Sequence, residues 1–376
     1  MTEKFGKGVF KLGFGLMRLP QLPDGTIDVE QVKKMVDLFI AAGGTYFDTA
    51  YVYNNGESEE AARKALVERY PRDSFTLCTK LHAGARSVVD EESAKQEFYT
   101  SLERTGAGYF DYYLLHALTL RNYQKYDEYH LWDFVKELKE KGLVRHYGFS
   151  FHATPELLDE LLTSHPDVDF VQLQINYADW ENPDVQSRRC YEIARRHGKP
   201  VTVMEPVKGG ALADPPAPVQ ALLRLADPKA SFASWGIRYA ASLDGILAVL
   251  SGMSNIAQMK DNLSYMKSFR PLDEAEQEVI RKARIAFASA GSIPCTACHY
   301  CTDGCPMGIP IPEIFAARNR QIIFGEEEAG KAAYEAAVAG AGRASDCIGC
   351  GQCEGQCPQH LSVIELLQSC AEALEN

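Results

Sequence analysis

Short apolar runs alternate with amphipathic stretches of helical periodicity from residue 9 to about residue 266 of this 376-residue chain. Eight strand-like runs are found, at Leu12–Met17, Tyr46–Thr49, Phe75–Lys80, Tyr112–His116, His146–Ser150, Phe170–Asn176, Val201–Glu205 and Ala248–Gly252. Eight strand-helix units over this length predict a (β/α)8 barrel. A doubly wound sheet is the alternative, but its glycine-rich turn must open a helix after the first strand. Here Arg18-Leu19-Pro20 follows instead, which favours the barrel.

A change in composition near Gly291 indicates a second domain. Residues 291–376 hold eleven acidic and four basic side chains, so most of the formal net charge of −12 lies there. We therefore expect a barrel domain over residues 1–270, a connecting helix within 271–290 and a separate domain over 291–376.

Charge and hydropathy exclude several classes of partner. The net charge of −12 disfavours nucleic acid and anionic membrane surfaces. No apolar stretch is long enough to span a bilayer, and the first residues do not follow the pattern of a signal peptide. Many cysteines without an export signal favour metal binding over disulfides. The sequence predicts a protein of the reducing cytoplasm.

Polar side chains end three consecutive predicted strands. Asp48 ends the second strand, Lys80 the third and His116 the fourth, and Tyr53 follows on the loop after Asp48. The carboxyl ends of barrel strands meet at one rim. We therefore expect these four side chains to converge there.

The four groups together suit proton transfer to a carbonyl oxygen. Lys80 at an inward position needs a carboxylate, which Asp48 supplies. A free phenol titrates near pH 10, and a neighbouring ammonium is expected to lower the pKa of Tyr53. Tyr53 is then the predicted general acid, and His116 donates a hydrogen bond to the substrate oxygen. A lysine or histidine at a strand end is commonly structural; the combination indicates a catalytic site.

Asp48-Thr-Ala-x-x-Tyr53 with Lys80 and His116 resembles the catalytic tetrad of the aldo-keto reductase superfamily, a resemblance that extends from residue 5 to about 268. It implies NAD(P)H-dependent reduction of a carbonyl or oxidation of an alcohol. The resemblance also implies a cofactor site at Ser150, Gln172, Met204, Pro206, Gly252, Met253, Ser254, Gln258 and Asn262. The loop after the seventh strand of a barrel commonly binds phosphate through backbone N–H groups, which adds Gly209.

The chain departs from the family pattern at the cofactor site. Met204 stands where many members stack a tyrosine on the nicotinamide. Gly252 and Gln258 stand where many members carry a lysine and an arginine for the 2′-phosphate of NADP. The choice between NADP and NAD therefore stays open.

Two cysteine runs follow the barrel. Cys295-x2-Cys298-x2-Cys301-x3-Cys305-Pro and Cys347-x2-Cys350-x2-Cys353-x3-Cys357-Pro match the bacterial ferredoxin pattern, in which the fourth cysteine of each run ligates the other cluster. Zinc ribbons also use paired cysteines, but two complete runs favour two [4Fe-4S] clusters. The predicted ligand sets are Cys295, Cys298, Cys301 and Cys357 for one cluster, and Cys347, Cys350, Cys353 and Cys305 for the other.

Helical patterns at Pro312–Phe324 and Glu326–Ala339 lie between the cysteine runs. They predict a small, mainly helical ferredoxin-like domain. The whole chain thus resembles the branch of aldo-keto reductases that carries a C-terminal 4Fe-4S domain. Its implied partners are a small-molecule carbonyl or alcohol as substrate, and a ferredoxin or another electron-transfer protein.

Three functional hypotheses follow. The first is an NAD(P)H-dependent oxidoreductase with Tyr53 as general acid and electron transfer through two clusters. Hydride carries two electrons whereas a cluster passes one, and a flavin such as FMN bridges the two regimes. The second hypothesis is therefore a ferredoxin-linked flavin-dependent reductase. The third is a nucleotide-binding module for redox sensing or electron delivery with little carbonyl turnover.

Overall fold

The structure of the protein, a computed structural model, describes residues 10–85 and 87–375. The first nine residues of the predicted barrel domain, Arg86 and Asn376 lie outside the described residues. The described chain forms two compact units. The first unit contains the described parts of 1–176, 186–206 and 237–272, and the second those of 177–185, 207–236 and 273–376. The predicted division at residues 270 and 291 remains a prediction.

Within residues 10–85 and 87–375, eight parallel strands close into a barrel in chain order, and the last strand pairs with the first. The strands are β1 Leu12–Gly15, β2 Tyr46–Asp48, β3 Thr76–Leu81, β4 Phe110–Leu118, β5 Val144–Phe151, β6 Phe170–Gln174, β7 Val201–Met204 and β8 Ile246–Ser251. The predicted (β/α)8 barrel is confirmed. Inward side chains from several strands fill the barrel as a packed core; they are Tyr46, Cys78, Leu114, Phe170, Ala248 and Leu250.

Helices follow the strands and are capped by side chains that the sequence supplies. The helices up to residue 266 are α1 Val29–Ala41, α2 Glu57–Ala62, α3 Glu91–Thr105, α4 Tyr123–Glu128, α5 Leu131–Glu140, α6 Pro155–Ser164, α7 Ser187–Arg196, α8 Ala217–Ala226, α9 Phe232–Ser242 and α10 Ile256–Met266. Asp28, Asp90 and Thr154 accept hydrogen bonds from first-turn N–H groups of α1, α3 and α6, as N-cap residues do.

The second unit contains the helices of the cysteine-rich segment. They are α11 Glu274–Ala288, α12 Ile311–Phe324, α13 Glu327–Val338, α14 Gln352–Gln356 and α15 Val363–Leu374. Helices α12, α13 and α15 pack on one another around a core that includes Phe315, Tyr334 and Leu367. The predicted mainly helical character is confirmed. In the part of the chain that the structure describes, no helix is both long and apolar enough to cross a membrane.

A buried carboxyl group on α3 supports the end of β3. Glu97 is 1% exposed, accepts a hydrogen bond of 2.8 Å from the His82 backbone N–H and another of 3.2 Å from the Ser87 hydroxyl. Burial raises the pKa of Glu97 to about 8. A carboxyl group whose pKa is raised on folding contributes stability at low pH that is lost as the pH rises through the folded pKa.

We predict that Glu97→Gln removes this pH dependence. The amide oxygen still accepts from His82, and the amide carries no charge at any pH. The free energies of unfolding of parent and variant are expected to be similar near pH 5. Above pH 5, the free energy of unfolding of the variant should exceed that of the parent by up to about 1.4 kcal/mol for each further pH unit, until about pH 8. Urea unfolding at pH 5, 7 and 9 measures the difference.

The matched control is Glu103→Gln, which changes an exposed carboxylate on the same helix. Its stability curve should follow that of the parent. Parallel curves for parent and Glu97→Gln across the whole range contradict the assignment of a raised pKa to Glu97.

Candidate active site

A buried ion pair joins the ends of β2 and β3. The Lys80 ammonium donates hydrogen bonds of 2.6 Å to Asp48 Oδ1 and of 2.6 Å to the carbonyl oxygen of Thr49. Both charged side chains are buried, Lys80 completely. Burial raises the pKa of Asp48, and the ammonium of Lys80 acts in the opposite direction. The predicted Asp48–Lys80 contact is thus present in the structure.

Tyr53 lies on a tight left-handed turn after β2. Asn54, Asn55 and Gly56 have φ values of 50°, 54° and 91°, a region that asparagine and glycine adopt at the lowest cost. The hydroxyl of Ser58 bonds the Leu16 carbonyl oxygen at 2.9 Å and so anchors the end of this loop. The chain is turned back to the barrel rim, and Tyr53 becomes buried there.

The structure brings the four predicted catalytic side chains together. The Lys80 Nζ atom lies 4.7 Å from the centroid of the Tyr53 ring. The His116 ring meets the Tyr53 ring edge-to-face, with 5.6 Å between centroids. Asp48, Tyr53, Lys80 and His116 therefore form one contiguous cluster at the carboxyl ends of β2, β3 and β4.

The expected lowering of the Tyr53 pKa is wrong. Burial, and then the negative charge of Asp48, raise the pKa of the phenol well above its usual value. The ammonium of Lys80 contacts the ring and is itself held by Asp48, so it does not offset the desolvation of a phenolate. Tyr53 therefore keeps its proton at neutral pH, as a proton donor must.

Insertion residues after β4 fix the backbone at His116. The hydroxyl of Tyr126 on α4 donates to the His116 carbonyl oxygen. The next residue, Ala117, has a φ of 55°, and its N–H donates to the Ser150 hydroxyl at 2.7 Å. This local irregularity, where the β4–β5 register shifts, directs the His116 ring to the rim.

A second histidine, which the sequence analysis missed, contacts His116. The two rings meet edge-to-face with 5.3 Å between centroids. His82 Nδ1 accepts a hydrogen bond of 3.0 Å from the Gly84 N–H, so the neutral ring carries its proton on Nε2. Alternation along β3 provides a sequence signal, because Lys80 and His82 are two residues apart.

Both histidines are neutral at physiological pH. Burial lowers the pKa of His82 to about 4. Burial, with the nearby positive potential of His82 and Lys80, lowers the pKa of His116 well below its usual value. His116 can therefore donate a hydrogen bond to a substrate oxygen only as a neutral imidazole.

Residues predicted to hold the nicotinamide lie at the ends of β5, β6 and β7. Gln172 is buried; its amide nitrogen donates to Met204 Sδ at 3.7 Å, and its oxygen accepts from the Thr202 hydroxyl at 3.4 Å. Ser150 already accepts from the Ala117 N–H, which leaves its own hydroxyl hydrogen available. Their roles towards a nicotinamide remain predictions.

The residues predicted after β8 form a hydrogen-bonded loop at the start of α10. Gln258 Oε1 accepts from the Ser254 N–H at 2.7 Å, and Asn262 Oδ1 accepts from the Ser251 hydroxyl at 2.7 Å. Met253 is buried beneath them. A Cβ atom on Gly252 would lie 3.4 Å from Arg18 Cδ, so this loop has a basic side chain beside it.

Arg18 and Glu205 are further rim residues that the sequence analysis did not select. Their side chains form an ion pair of 3.9 Å. The negative charge of Glu205 raises the pKa of Tyr53 and the positive charge of Arg18 lowers it, both after the larger effects of burial and Asp48. Arg18 follows the end of β1 and Glu205 follows the end of β7. A charged residue after a strand end is the sequence signal that could have identified both.

The remaining predicted cofactor residues are distributed between the two units. Pro206 is buried at the end of the β7 segment in the first unit, whereas Gly209 belongs to the second unit. Gly209 has a φ of 64°, and a Cβ atom on it would lie 2.5 Å from the carbonyl oxygen of Thr296. The backbone of Gly209 therefore packs directly on the first cysteine run.

Two cavities in the second unit are each lined by four cysteines. One has about 340 Å³ of space, counted to its open mouth, and Cys295, Cys298, Cys301 and Cys357 line it. The other has about 320 Å³ and is lined by Cys305, Cys347, Cys350 and Cys353. Each set takes three thiols from one run and one from the other, which is the predicted division.

Apolar side chains complete the walls of both cavities. Ile311 lines both cavities, with Phe315 in the first and Leu367 in the second. Among residues 10–85 and 87–375, no group of three or more His, Cys, Asp or Glu side chains is arranged to hold a single metal ion.

The chain is similar to known proteins along most of its length. Str7, an aldo-keto reductase of Strobilurus tenacellus, is 30% identical over 222 residues, which are 56% of this chain and 62% of that protein. Aldo-keto reductase AKR11C1 from Bacillus halodurans, in its holo form, superposes with a TM-score of 0.60 at 26% identity and covers 73% of this chain and 91% of its own. An aldo-keto reductase from Klebsiella pneumoniae in complex with NADPH superposes with a TM-score of 0.57 at 19% identity, with coverages of 73% and 91%.

Two family models match successive parts of the chain. The model of the 4Fe-4S dicluster domain matches residues 294–361, which include every cysteine of the two cavities. The model of the aldo/keto reductase family matches residues 11–285, which include the whole barrel. The chain is therefore a member of the aldo/keto reductase family that also carries a 4Fe-4S dicluster domain.

Proposed function

We propose that the protein reduces the carbonyl group of a small molecule, or oxidises the corresponding alcohol, with a nicotinamide dinucleotide as hydride carrier. The observation that carries this proposal is the cluster in which the buried Asp48–Lys80 pair lies against Tyr53 and His116 lies at its edge. The Klebsiella pneumoniae relative binds NADPH. The basic side chain of Arg18 beside Gly252 supports NADPH over NADH here.

The rim residues fit a nicotinamide. Gln172 presents a buried amide at the end of β6, which suits a carboxamide with both donor and acceptor. Ser150 has a hydroxyl hydrogen to donate, and the flexible Met204 thioether adapts to an aromatic ring. When bound, the dinucleotide would supply the hydride to the substrate carbon.

Side chains of the protein then transfer one proton to the substrate oxygen and stabilise the negative charge that develops on it. Tyr53 holds its proton because burial disfavours a phenolate, and it releases the proton to the substrate oxygen as negative charge develops there. The neutral His116 donates a hydrogen bond to the same oxygen. Lys80, held by Asp48, stabilises the phenolate that remains on Tyr53 after transfer.

We also propose that the eight cavity cysteines hold two [4Fe-4S] clusters, which exchange single electrons with a ferredoxin or a similar carrier. Support comes from the crossed cysteine sets and their apolar walls, together with the match to a 4Fe-4S dicluster domain. Cys350, in the second cavity, is exposed. This opening would bring the edge of that cluster within reach of a partner.

Removal of the Tyr53 hydroxyl should abolish most turnover. Tyr53→Phe is expected to lower kcat for NADPH-dependent reduction of 4-nitrobenzaldehyde by about 10²–10⁴-fold, the range attributed to general acid catalysis. NADPH binding, followed by fluorescence titration, should change little because the ring remains.

Tyr51→Phe is the matched control. Tyr51 lies on the same loop, and its ring packs on Arg104 at 4.3 Å, a contact that phenylalanine retains. The control should keep the parent's kcat. Equal turnover by parent and Tyr53→Phe would reject the catalytic assignment and favour an electron-delivery module.

The pH profile should lack a histidine titration near neutrality. The pKa of His82 is about 4, and that of His116 is lowered well below its usual value by burial, so neither ring should change its charge near the usual histidine pKa. We expect kcat/KM to show no inflection near pH 6.5, the usual histidine value. An inflection there that disappears in His116→Gln would contradict the neutral assignment.

Iron content tests the cluster ligands. Parent protein prepared without oxygen is expected to hold about eight iron atoms and eight sulfides per chain and no flavin. Cys350→Ala should lose about half of the iron. Cys370→Ala, which alters a buried cysteine of the same unit outside both cavities, should keep all of it. A released flavin, or zinc in place of iron, would overturn the proposed cofactors.

A further inference from the structure

A buried lysine outside the catalytic cluster lies beneath the first cysteine cavity. Lys208 follows β7, is 2% exposed, and donates hydrogen bonds of 2.5 Å to Asp179 Oδ1 and of 2.9 Å to Gln359 Oε1. Asp179 follows β6 and is 1% exposed. All three residues belong to the second unit. A buried ion pair is costly unless its geometry is good, so these contacts require an explanation.

Gln359 connects this ion pair to the cysteines. It lines the cavity formed by Cys295, Cys298, Cys301 and Cys357, and neither Lys208 nor Asp179 is among the lining residues. The Lys208 ammonium bonds directly to this wall residue, and Asp179 bonds to the ammonium. Gln359 lies two residues after Cys357, so the ammonium bonds to the same chain segment that supplies a cysteine of the first cavity.

The backbone at Lys208 adopts an uncommon conformation. Lys208 has a φ of 49°, which is rare for a residue with a side chain and costs about 1 kcal/mol or more. Gly209 follows with its close approach to Thr296. The loop predicted to bind dinucleotide phosphates thus packs on the cysteine segment, and its one basic side chain bonds to Gln359 in the wall of the cavity.

The second cavity has a charge of opposite sign beside it. Glu354 directly follows Cys353, one of the cysteines that line this cavity. Glu354 is fixed in place, because its Oε1 accepts a hydrogen bond of 3.0 Å from the Ile364 N–H. An acidic side chain, Glu354, is thus bonded to Ile364 in the wall of the second cavity, whereas the basic side chain of Lys208 is bonded to Gln359 in the wall of the first.

We propose that Lys208 sets the reduction potential of the cluster in the first cavity and raises it above that of the second. Reduction adds one electron and one negative charge to a cluster without making or breaking a bond. A buried ammonium stabilises this added charge, and a carboxylate opposes it. Electrons that enter the chain then collect on the cluster next to the loops after β6 and β7. This inference rests on the proposed binding of two clusters.

Two substitutions test the proposal because they move the potential in opposite directions. In a dithionite titration of the full chain with both clusters bound, followed by EPR, Lys208→Met should lower the higher of the two midpoints. We expect the ratio of reduced to oxidised cluster at a fixed potential to fall about tenfold, which for one electron is about 59 mV. Asp179→Asn should raise the same midpoint, and neither should move the lower one.

The control and the complementary variant lie in the same unit. Lys229→Met removes an exposed ammonium and should leave both midpoints unchanged. Glu354→Gln should raise only the lower midpoint. A loss of packing alone would not produce shifts of opposite sign at one cluster and none at the other.

Each outcome decides between the alternatives. A parent chain without iron and sulfide refutes the proposed clusters and, with them, this inference. A parent with two clusters whose midpoints do not respond to Lys208→Met or Asp179→Asn refutes this inference alone. If Lys208→Met fails to bind iron, Asp179→Asn decides, because it keeps the lysine. A raised midpoint then supports the role of Lys208, and an unchanged one overturns it.

Discussion

An ammonium and a carboxylate that leave water attract each other usefully only when their contact is close and their remaining hydrogen-bonding capacity is satisfied. Lys80 meets the first condition and part of the second, since it donates to Asp48 Oδ1 and to the carbonyl of Thr49 at 2.6 Å each, while Asp48 Oδ2 accepts no hydrogen bond from the described residues. The pair holds the ends of two neighbouring strands in register and gives Tyr53 a rigid positive surface to lie against. Removal of either partner leaves a buried charge and costs about 3–5 kcal/mol.

The second unit contains a similar buried ion pair, between Asp179 and Lys208. Asp179 and Lys208 also come from the ends of two consecutive strands, and both are buried. What differs is the group that the ammonium faces. In the barrel it is the phenol of Tyr53, and in the second unit it is an amide that lines a cysteine cavity. One kind of ion pair would thus serve the proposed proton transfer in one place and the proposed electron transfer in the other.

Local patterns in the sequence were sufficient for the barrel, the strand-end cluster and the crossed cysteine sets, because each depends on spacing along the chain. Properties that depend on packing between distant segments could not be predicted from local sequence patterns. The raised pKa of Tyr53 results from burial by distant residues, and no neighbour in sequence reports it. The packing of Gly209 on Thr296 joins segments far apart in the chain. His82 could have been predicted, because it lies two residues after Lys80 and alternation along a strand places both side chains on the same face.

The crossing of the cysteine runs has a consequence for biosynthesis. The second cavity lacks its four thiols until the chain has been made as far as Cys353, and the first until Cys357, so neither proposed cluster can be completed on a nascent chain that ends before Cys353. Metal binding and folding are coupled when a site does not exist in the unfolded chain. The first cluster to bind closes the segment between Cys305 and Cys347 into a loop and removes much of the entropic cost of forming the second site. We therefore expect maturation to follow synthesis and to be cooperative, with half-loaded chains rare.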